Sequence, residues 1–358
     1  MYEKVLEKIL FKIYNTTKKE IGIVNEEKKI ITYIGKKNQG EIEKLIIENF
    51  KLEEEKNFLD YFFVPLNYQT KMRLFLFFEN KGKESWDQLN LIKVMLDNFY
   101  IEKYEKEKKE SFIKKILTNM IYDKEIEEKA EALNIDTSKS MVVVLIETKE
   151  NHYKEVKNFL KDKIDKDEEF LIELENYNLA MLKTIKDFNK NEYTLNQIEE
   201  IYLNLKEKVN ISIGSFAENL KEIKKSFRKA KIAMEVEKIF EYPGKIANYD
   251  DMGIKRIIYK LPQPICESFL SEVLGKCKIK NLGDEALSTI DKFFENNLNI
   301  SETSRKLFIH RNTLVYRLDK IKKQTGLDLR LFSDAIKFKI ALMIIQYINF
   351  VTKEKQKI

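Results

Sequence analysis

The chain has 358 residues, and its 65 Lys and Arg against 59 Asp and Glu give a formal net charge of +6. A charged fraction of 35% with only 10 Gly and 4 Pro indicates two or three helix-rich domains rather than a fibrous or disordered chain. Two cysteines cannot form a four-cysteine zinc site, and no run of about 18 apolar residues predicts a membrane span, so we expect a cytoplasmic protein without membrane partners.

The chain begins with a pattern typical of a small sensor domain. Helical spacing of Val5, Ile9 and Ile13 predicts an opening helix. The runs that follow predict strands at 21–24 and 29–34, a helix at 41–50, and a hairpin of 61–66 and 72–78 around the tip at 67–70. This order favours a PAS- or GAF-like α/β sensor, which we place at residues 1–85.

A long helical pattern follows the sensor. It begins at Trp86 and continues through Phe112 to Ile121 without Gly or Pro. A helix of this length exceeds one globular domain, so residues 86–122 are predicted to form a linker and the seam of a homodimer.

The next 128 residues, 123–250, have an alternating strand and helix pattern. Ser140–Glu147 is a β-branched run typical of a central strand. The other predicted elements are helices at 153–164, 195–208 and 220–240, strands at 169–173, 179–184 and 209–214, and a turn at 176–178. This βαββαβα order predicts helices packed over an antiparallel sheet.

The C-terminal part, residues 251–358, contains only helical patterns after Met252. The predicted helices are 265–274, 284–296, 301–308, 311–325 and 333–349. The fold class is therefore α+β multidomain with an all-α C-terminal domain, and the tight connection within 301–325 predicts a helix-turn-helix.

The helix-turn-helix segment contains the basic excess of the chain. Between Arg305 and Lys323 there are seven Lys or Arg and one acid, Asp319, and this excess of six equals the net charge of the whole chain. Leu314, Leu318 and Ile321 recur at helical spacing and predict the buried face of the second helix. Ser301 is predicted as the N-cap of the first helix, and Gly326 as the C-terminal stop of the second.

The opposite face of the second helix has the chemistry of a DNA reader. Thr313, Arg317 and Lys320 are predicted to reach base edges in a major groove, and Lys322 and Lys323 to meet phosphates. The full predicted contact set is Arg311, Asn312, Thr313, Tyr316, Arg317, Lys320, Lys322 and Lys323. The alternative left open by the pattern is a cationic surface helix on a Lys-rich protein. His310, just before this helix, is interpreted as a cap rather than a base or ligand.

A family resemblance rests on the sequence IHRNTLVYRLDKIKKQTGLDL. His310–Leu318 and Thr325–Leu329 resemble the H-R-N-T-L-x-Y-R-L core and the T-G-L-D/N-L stop of PucR/CdaR-type bacterial transcriptional regulators. The resemblance implies a C-terminal DNA-reading domain whose recognition helix is about Arg311–Lys323. Ser304 occupies a position where the family usually has Ala, a change that we expect to be tolerated.

The resemblance extends upstream to Ile211–Val236, which is similar to the degenerate GGDEF-like middle domain of these regulators. The hairpin LENYNLA, Leu174–Ala180, lacks the Gly pair and the acidic pair that a cyclase needs to approach phosphate and hold a metal. We therefore expect no catalytic residues, no metal and no cofactor.

The N-terminal sequence VNEEKKIITYIG resembles the opening of the family's sensor. Gly35-Lys36-Lys37-Asn38 stands where sugar-diacid sensors carry R-I-G, with no Arg and no His. Lys36 or Lys37 could replace the missing cation, but we favour the alternative of a solvated loop. The ligand site is therefore unassigned.

These features predict a sequence-specific transcriptional regulator that binds double-stranded DNA as a homodimer. Its signal would be a small molecule, such as a carboxylate or sugar acid, or a partner protein at the N-terminal domain. The alternative is a nucleotide-linked signalling enzyme of diguanylate-cyclase-like ancestry, which would need catalytic carboxylates on a Gly-flanked turn. A general RNA binder is a weaker third option, because no aromatic-rich sheet motif supports it.

Overall fold

A computed structural model of the chain describes residues 2–50, 56–58, 60–66, 73–165, 168–185, 191–240, 246–275 and 282–355. The predicted hairpin tip at 67–70 and Cys277 lie outside the described residues. The chain divides into two compact units, Met1–Ser111 and Phe112–Ile358.

The first unit is built on a five-stranded antiparallel sheet of order β2-β1-β5-β4-β3. Its elements are α1 (Tyr2–Thr17), β1 (Ile21–Asn25), β2 (Ile30–Ile34), α2 (Gln39–Asn49), β3 (Lys56–Phe58), β4 (Tyr61–Pro65), β5 (Leu74–Glu79) and the start of α3 (Glu84–Leu117). The predicted helices and strands are confirmed. The sequence did not reveal β3, which has only three residues.

Both faces of this sheet are covered. Leu76 and Phe78 lie on the face packed against α1 and α3, whereas Phe75 and Phe77 lie on the face packed against α2. Because side chains alternate along a strand, a sheet buried on both faces needs apolar residues at nearly every position, as β5 has.

The long helix α3 ends at Leu117, four residues before the predicted end. Asn119 adopts a left-handed φ of 57°, and the N–H of Met120 returns to the carbonyl of Lys115 at 2.8 Å, which terminates the helix. The segment from Phe112 to Leu117 packs in the core of the second unit.

The second unit begins with an α/β layer. Its elements are α4 (Asp123–Ala132), β6 (Met141–Thr148), α5 (Glu150–Lys161), β7 (Phe170–Glu173), β8 (Asn178–Thr184), α6 (Asn191–Leu205), β9 (Val209–Ile213), α7 (Ile223–Phe240) and β10 (Ile246–Asn248). The βαββαβα order is confirmed, and the sheet order is β10-β9-β6-β8-β7. The prediction of a purely antiparallel sheet was wrong, because β10 follows the crossover helix α7 and pairs with β9 in parallel.

Small residues allow α7 to lie close to this sheet. A Cβ atom at Gly214 would lie 2.1 Å from the carbonyl oxygen of Ser226, so only Gly fits there. The Ser212 hydroxyl donates to the carbonyl of Ala230 at 2.8 Å, and the Ser226 hydroxyl accepts from the N–H of Val143 at 3.1 Å.

The rest of the unit is helical, as predicted. Its helices are α8 (Lys255–Ile258), α9 (Gln263–Leu274), α10 (Asp284–Glu295), α11 (Ile300–Lys306), α12 (Arg311–Thr325) and α13 (Phe332–Lys355).

Within the described residues, one segment, Phe332–Lys353 of α13, is long and apolar enough by length and composition to cross a membrane. The segment is not an uninterrupted apolar run, because Lys337 and Lys339 lie within it. Phe338 of α13 packs in the core of the helical region, and Ile344 packs with Ala233 of α7. Packing against two cores accounts for a helix that is apolar on most sides.

Candidate nucleic-acid interface

The two helices of the predicted helix-turn-helix pack on α10 through one apolar core. Leu314, Leu318 and Ile321 are at most 2% exposed and pack with Ile290 and Phe293 of α10. The predicted buried face of α12 is therefore confirmed, and the opposite face is turned toward solvent.

The start of α11 differs from the prediction. Asn299, not Ser301, is the N-cap, and its side-chain oxygen accepts from the N–H of Glu302 at 3.0 Å. Ser301 lies inside the first turn, where its carbonyl accepts from the hydroxyl of Ser304 at 3.0 Å. That bond satisfies the polar group that replaces the family's Ala.

Both ends of α12 are fixed by residues that the sequence singled out. The Nδ1 atom of His310 accepts from the N–H of Asn312 at 3.2 Å, so His310 is the predicted cap. Gly326 has a left-handed φ of 79°, and its N–H donates to the carbonyl of Lys322 at 2.8 Å, which confirms the predicted stop. The turn before the helix carries Phe308, 95% exposed with a φ of 54°.

The structure exposes most of the predicted contact set along one helix. The exposed residues are Arg311, Asn312, Thr313, Tyr316, Lys320, Lys322 and Lys323. Their side chains combine hydrogen-bonding groups that suit base edges with cations that suit phosphates.

Arg317 is the exception. It follows Leu314 by three residues, which places it about 60° around the helix from the buried stripe rather than opposite it. Its guanidinium is ion-paired with Glu285 of α10 at 2.7 Å and donates to the hydroxyl of Thr289 at 3.3 Å. The side chain is only 22% exposed, so its placement on the exposed face was wrong.

Ion pairs divide the cations of this segment into two classes. Arg305 is paired with Glu302 at 2.7 Å, and Lys322 is paired with Asp328 at 3.1 Å. Among the described residues, no ion pair is found for Lys306, Arg311, Lys320 and Lys323. Lys306, on the last turn of α11, entered the sequence charge count but was not predicted as a contact.

A carboxylate after α12 ties the recognition helix to the following loop. Asp328 is 9% exposed and accepts from Arg330 at 2.7 and 2.9 Å as well as from Lys322. Arg330 also pairs with Asp319 of α12 at 2.8 Å. Bonds from the Arg330 guanidinium hold the pKa of Asp328 well below its ordinary value. The only sequence signal for this role was the Asp of the T-G-L-D-L motif.

The middle domain has a different turn where a cyclase would carry its Gly pair. Asn176 and Tyr177 adopt left-handed φ values of 54° and 59°, and the Tyr177 side chain occupies the space beside the ring of Tyr153. Glu173 is bound by Lys157 and by the Tyr153 hydroxyl. Burial alone raises the pKa of Glu173, but these bonds outweigh it and lower that pKa.

No group of three or more His, Cys, Asp or Glu that could hold a metal is found in the residues for which the structure gives positions.

In the first unit, the loop that contains Lys36 and Lys37 is bound to the sheet. The two backbone N–H groups donate to the Glu20 carboxylate at 2.8 and 3.2 Å, and the Lys37 ammonium donates to the Tyr61 hydroxyl at 3.0 Å. Tyr61 in turn donates to Glu20, which is 5% exposed. Residues 36–38 are exposed, as a solvated loop implies, whereas the backbone N–H groups of Lys36 and Lys37 and the Lys37 ammonium have partners on the sheet.

Comparisons with known proteins match two segments of the chain. Residues 286–344 match the PucR C-terminal helix-turn-helix domain, and residues 118–236 match a GGDEF-like domain.

Three curated relatives illustrate the match. The chain is 30% identical to the carbohydrate diacid regulator of Escherichia coli (strain K12) over 152 residues, which cover 41% of this chain and 40% of that protein. It is 24% identical over 151 residues to the purine catabolism regulatory protein of Bacillus subtilis (strain 168), covering 42% and 28%. It is 30% identical over 147 residues to the proline-responsive transcriptional activator PutR of the same strain, covering 38% and 34%.

The matched segments span 28% to 40% of the length of these relatives. In this chain, the match to the helix-turn-helix domain includes the His310–Leu318 signature. Residues 118–236 and 286–344 are therefore similar to the GGDEF-like domain and the C-terminal helix-turn-helix domain of PucR-type regulators.

Proposed function

We propose that the chain is a sequence-specific transcriptional regulator that binds double-stranded DNA through α12. The observation that carries this proposal is the solvent-facing side of α12, where Arg311, Lys320 and Lys323 have no ion pair among the described residues. Unpaired cations beside hydrogen-bonding side chains are what a major-groove reader needs, since phosphates supply affinity and base edges supply specificity.

The roles of the contact residues follow from their positions. Arg311, Asn312 and Thr313 occupy the first turn of α12, where backbone N–H groups also attract phosphate. Lys320 lies about two turns later and would reach a base edge, and Lys323 lies about three turns later and would neutralise phosphates. Tyr316, 69% exposed between these groups, would pack against the groove wall.

The proposed assembly is a homodimer on paired half-sites, because one helix-turn-helix reads only a few base pairs and regulators of this type double the interface by symmetry. We assign residues 86–122 to the linker and dimer seam, between a sensor at 1–85 and the domains at 123–250 and 251–358. As a DNA-binding regulator, the protein would act in the cytoplasm.

The first unit is proposed to be a PAS- or GAF-like sensor. The sheet order β2-β1-β5-β4-β3, with α2 on one face and α1 and α3 on the other, supports this assignment. The names of the relatives refer to a diacid, purine catabolism and proline, and we propose a small-molecule effector, with carboxylates tested first. The test is to measure the thermal unfolding temperature of the full chain with a sugar diacid, with proline and with a purine. A bound effector should raise that temperature, and no rise with any of the three would argue against these effector classes.

We propose that the middle domain relays the signal without catalysis. The Asn176-Tyr177 turn places side chains where a cyclase needs bare backbone, and Glu173 is engaged by Lys157 and Tyr153. Incubation with GTP or ATP and Mg²⁺ should give no cyclic product, whereas robust turnover would favour the enzyme of cyclase-like ancestry.

The central experiment is selection of bound duplexes from a random library by the full chain, followed by binding titrations on the selected operator and a scrambled duplex. Arg311→Ala and Asn312→Ala should reduce the preference for the operator, by about 1–3 kcal/mol for each lost base contact. Lys149→Ala, at an exposed position before α5, is the matched control and should leave both affinities unchanged. Failure to enrich any duplex would contradict the proposal.

A further inference from the structure

One face of α3 in the first unit is apolar and exposed. From Leu89 to Tyr100 the inner face of this helix is buried in the core of the unit, at positions that include Ile92 and Leu96. The outer face exposes four large apolar side chains, which are Leu91 (72% exposed), Val94 (57%), Met95 (46%) and Ile101 (45%). The first unit therefore leaves this stripe uncovered.

The spacing of the stripe is that of a coiled-coil seam. Leu91, Val94, Asn98 and Ile101 are separated by three, four and three residues, which is the a-d-a-d pattern of two heptads. The next a position is Glu105, so the pattern ends there. The seam is short and has defined ends.

We propose that this stripe binds the same stripe of a second copy of the chain, in parallel and in register. The inference rests on the proposed homodimer and names the surface that forms it. Parallel pairing places Leu91 on Leu91, Val94 on Val94 and Ile101 on Ile101, with the two Asn98 amides facing each other. A polar Asn at one a position is a known determinant of register and of two-stranded pairing, since any other alignment buries its amide against apolar groups.

The antiparallel alternatives match less well. Antiparallel pairing centred on Asn98 places Leu91 opposite Glu105. Shifting it so that Leu91 meets Ile101 places Val94 opposite Asn98. The parallel arrangement is the one in which every apolar position meets an apolar partner and the polar position meets a polar partner.

Only two heptads contribute, fewer than the three or four of a self-standing coiled coil. We therefore expect a dimer that dissociates on dilution and that is stabilised when two half-sites on DNA hold two copies together. Leu91→Glu should raise the dissociation constant of the dimer at least tenfold in sedimentation, with the thermal unfolding of the first unit unchanged because Leu91 is exposed.

Orientation is tested by disulfide crosslinking of the full chain in a Cys277→Ser background, with Cys266 left in place because it is fully buried. Leu91→Cys should crosslink to itself on mild oxidation. Glu107→Cys is the matched control, since it is exposed but lies about 160° around the helix from Leu91, and should not crosslink.

Crosslinking of Leu91→Cys only when mixed with Ile101→Cys would overturn the parallel arrangement. A stable dimer in which Leu91→Cys does not crosslink and Leu91→Glu has no effect would overturn this surface while leaving the homodimer in place. A chain that is monomeric at all concentrations, with or without operator, would overturn the proposed homodimer itself. The proposal that α12 binds DNA is tested separately, by the selection of bound duplexes.

Discussion

Arg317 offers the sharpest test of the proposal that α12 reads DNA, because in the free protein its guanidinium is bound to Glu285. The acceptor is 63% exposed, and ion pairs of this kind stabilise by about 0.2–1 kcal/mol. A bidentate Arg–guanine contact is worth about 1–3 kcal/mol. Since the base contact is worth more than the ion pair, we propose that Arg317 leaves Glu285 when the protein binds DNA. In the free protein, Glu285 of α10 would hold the guanidinium until then.

Arg317→Ala should then weaken operator binding by about 5- to 150-fold, the equivalent of about 1–3 kcal/mol, and weaken binding to a scrambled duplex much less. Glu285→Ala removes the competing acceptor and should leave operator affinity unchanged or raise it by up to about 5-fold. Fluorescence anisotropy at fixed ionic strength measures both, and Arg317→Lys, which keeps the charge but not the planar fork, should behave like Arg317→Ala on the operator. If Glu285→Ala weakens operator binding as much as Arg317→Ala, the pair positions α12 and the reasoning is refuted.

Three further predictions concern the helix-turn-helix. Lys323→Ala should reduce the slope of log affinity against log salt concentration by about 0.9 for each bound copy. Lys322→Ala should reduce this slope by less, because Asp328 competes for the Lys322 ammonium, and equal reductions by the two variants would contradict this distinction. Leu318→Ala should lower the free energy of unfolding in urea by about 2–5 kcal/mol, against about 0.5 kcal/mol or less for exposed Tyr316→Ala, and similar losses would contradict the assigned faces. Folding lowers the pKa of Asp328, so the stabilisation by its carboxylate is present above about pH 4 and is lost as the pH falls toward the folded-state pKa. The difference in free energy of unfolding between the unchanged chain and Asp328→Asn should therefore be smaller at pH 3 than at pH 7. A difference that is the same at both pH values would count against the Arg330 pair.

Much of the fold and of the site could be predicted because both depend on local patterns. Alternating apolar runs located all but the short strands β3 and β10, and the spacing of Leu314, Leu318 and Ile321 located the core of the reader. His310 and Gly326 were recognisable because caps and stops act within a few residues of their own position.

What the sequence could not determine were contacts between residues that are distant along the chain. Arg317 is directed to Glu285, 32 positions earlier, and Glu20 is bound by a loop 16 and 17 positions away. Helical periodicity placed each cation on a face but could not tell which carboxylates another element would bring beside it.

By itself, the sequence determined most of the elements and the location of the helix-turn-helix, because helix periodicity, capping and the H-R-N-T-L-x-Y-R-L signature depend on residues that are neighbours along the chain. Only the tertiary structure decided which cations of the helix-turn-helix have an ion-pair partner among the described residues, because an ion pair depends on how α10, α12 and the loop at Asp328 pack together. The same holds for α3, where the packing of the first unit selects which side of a long apolar pattern remains exposed.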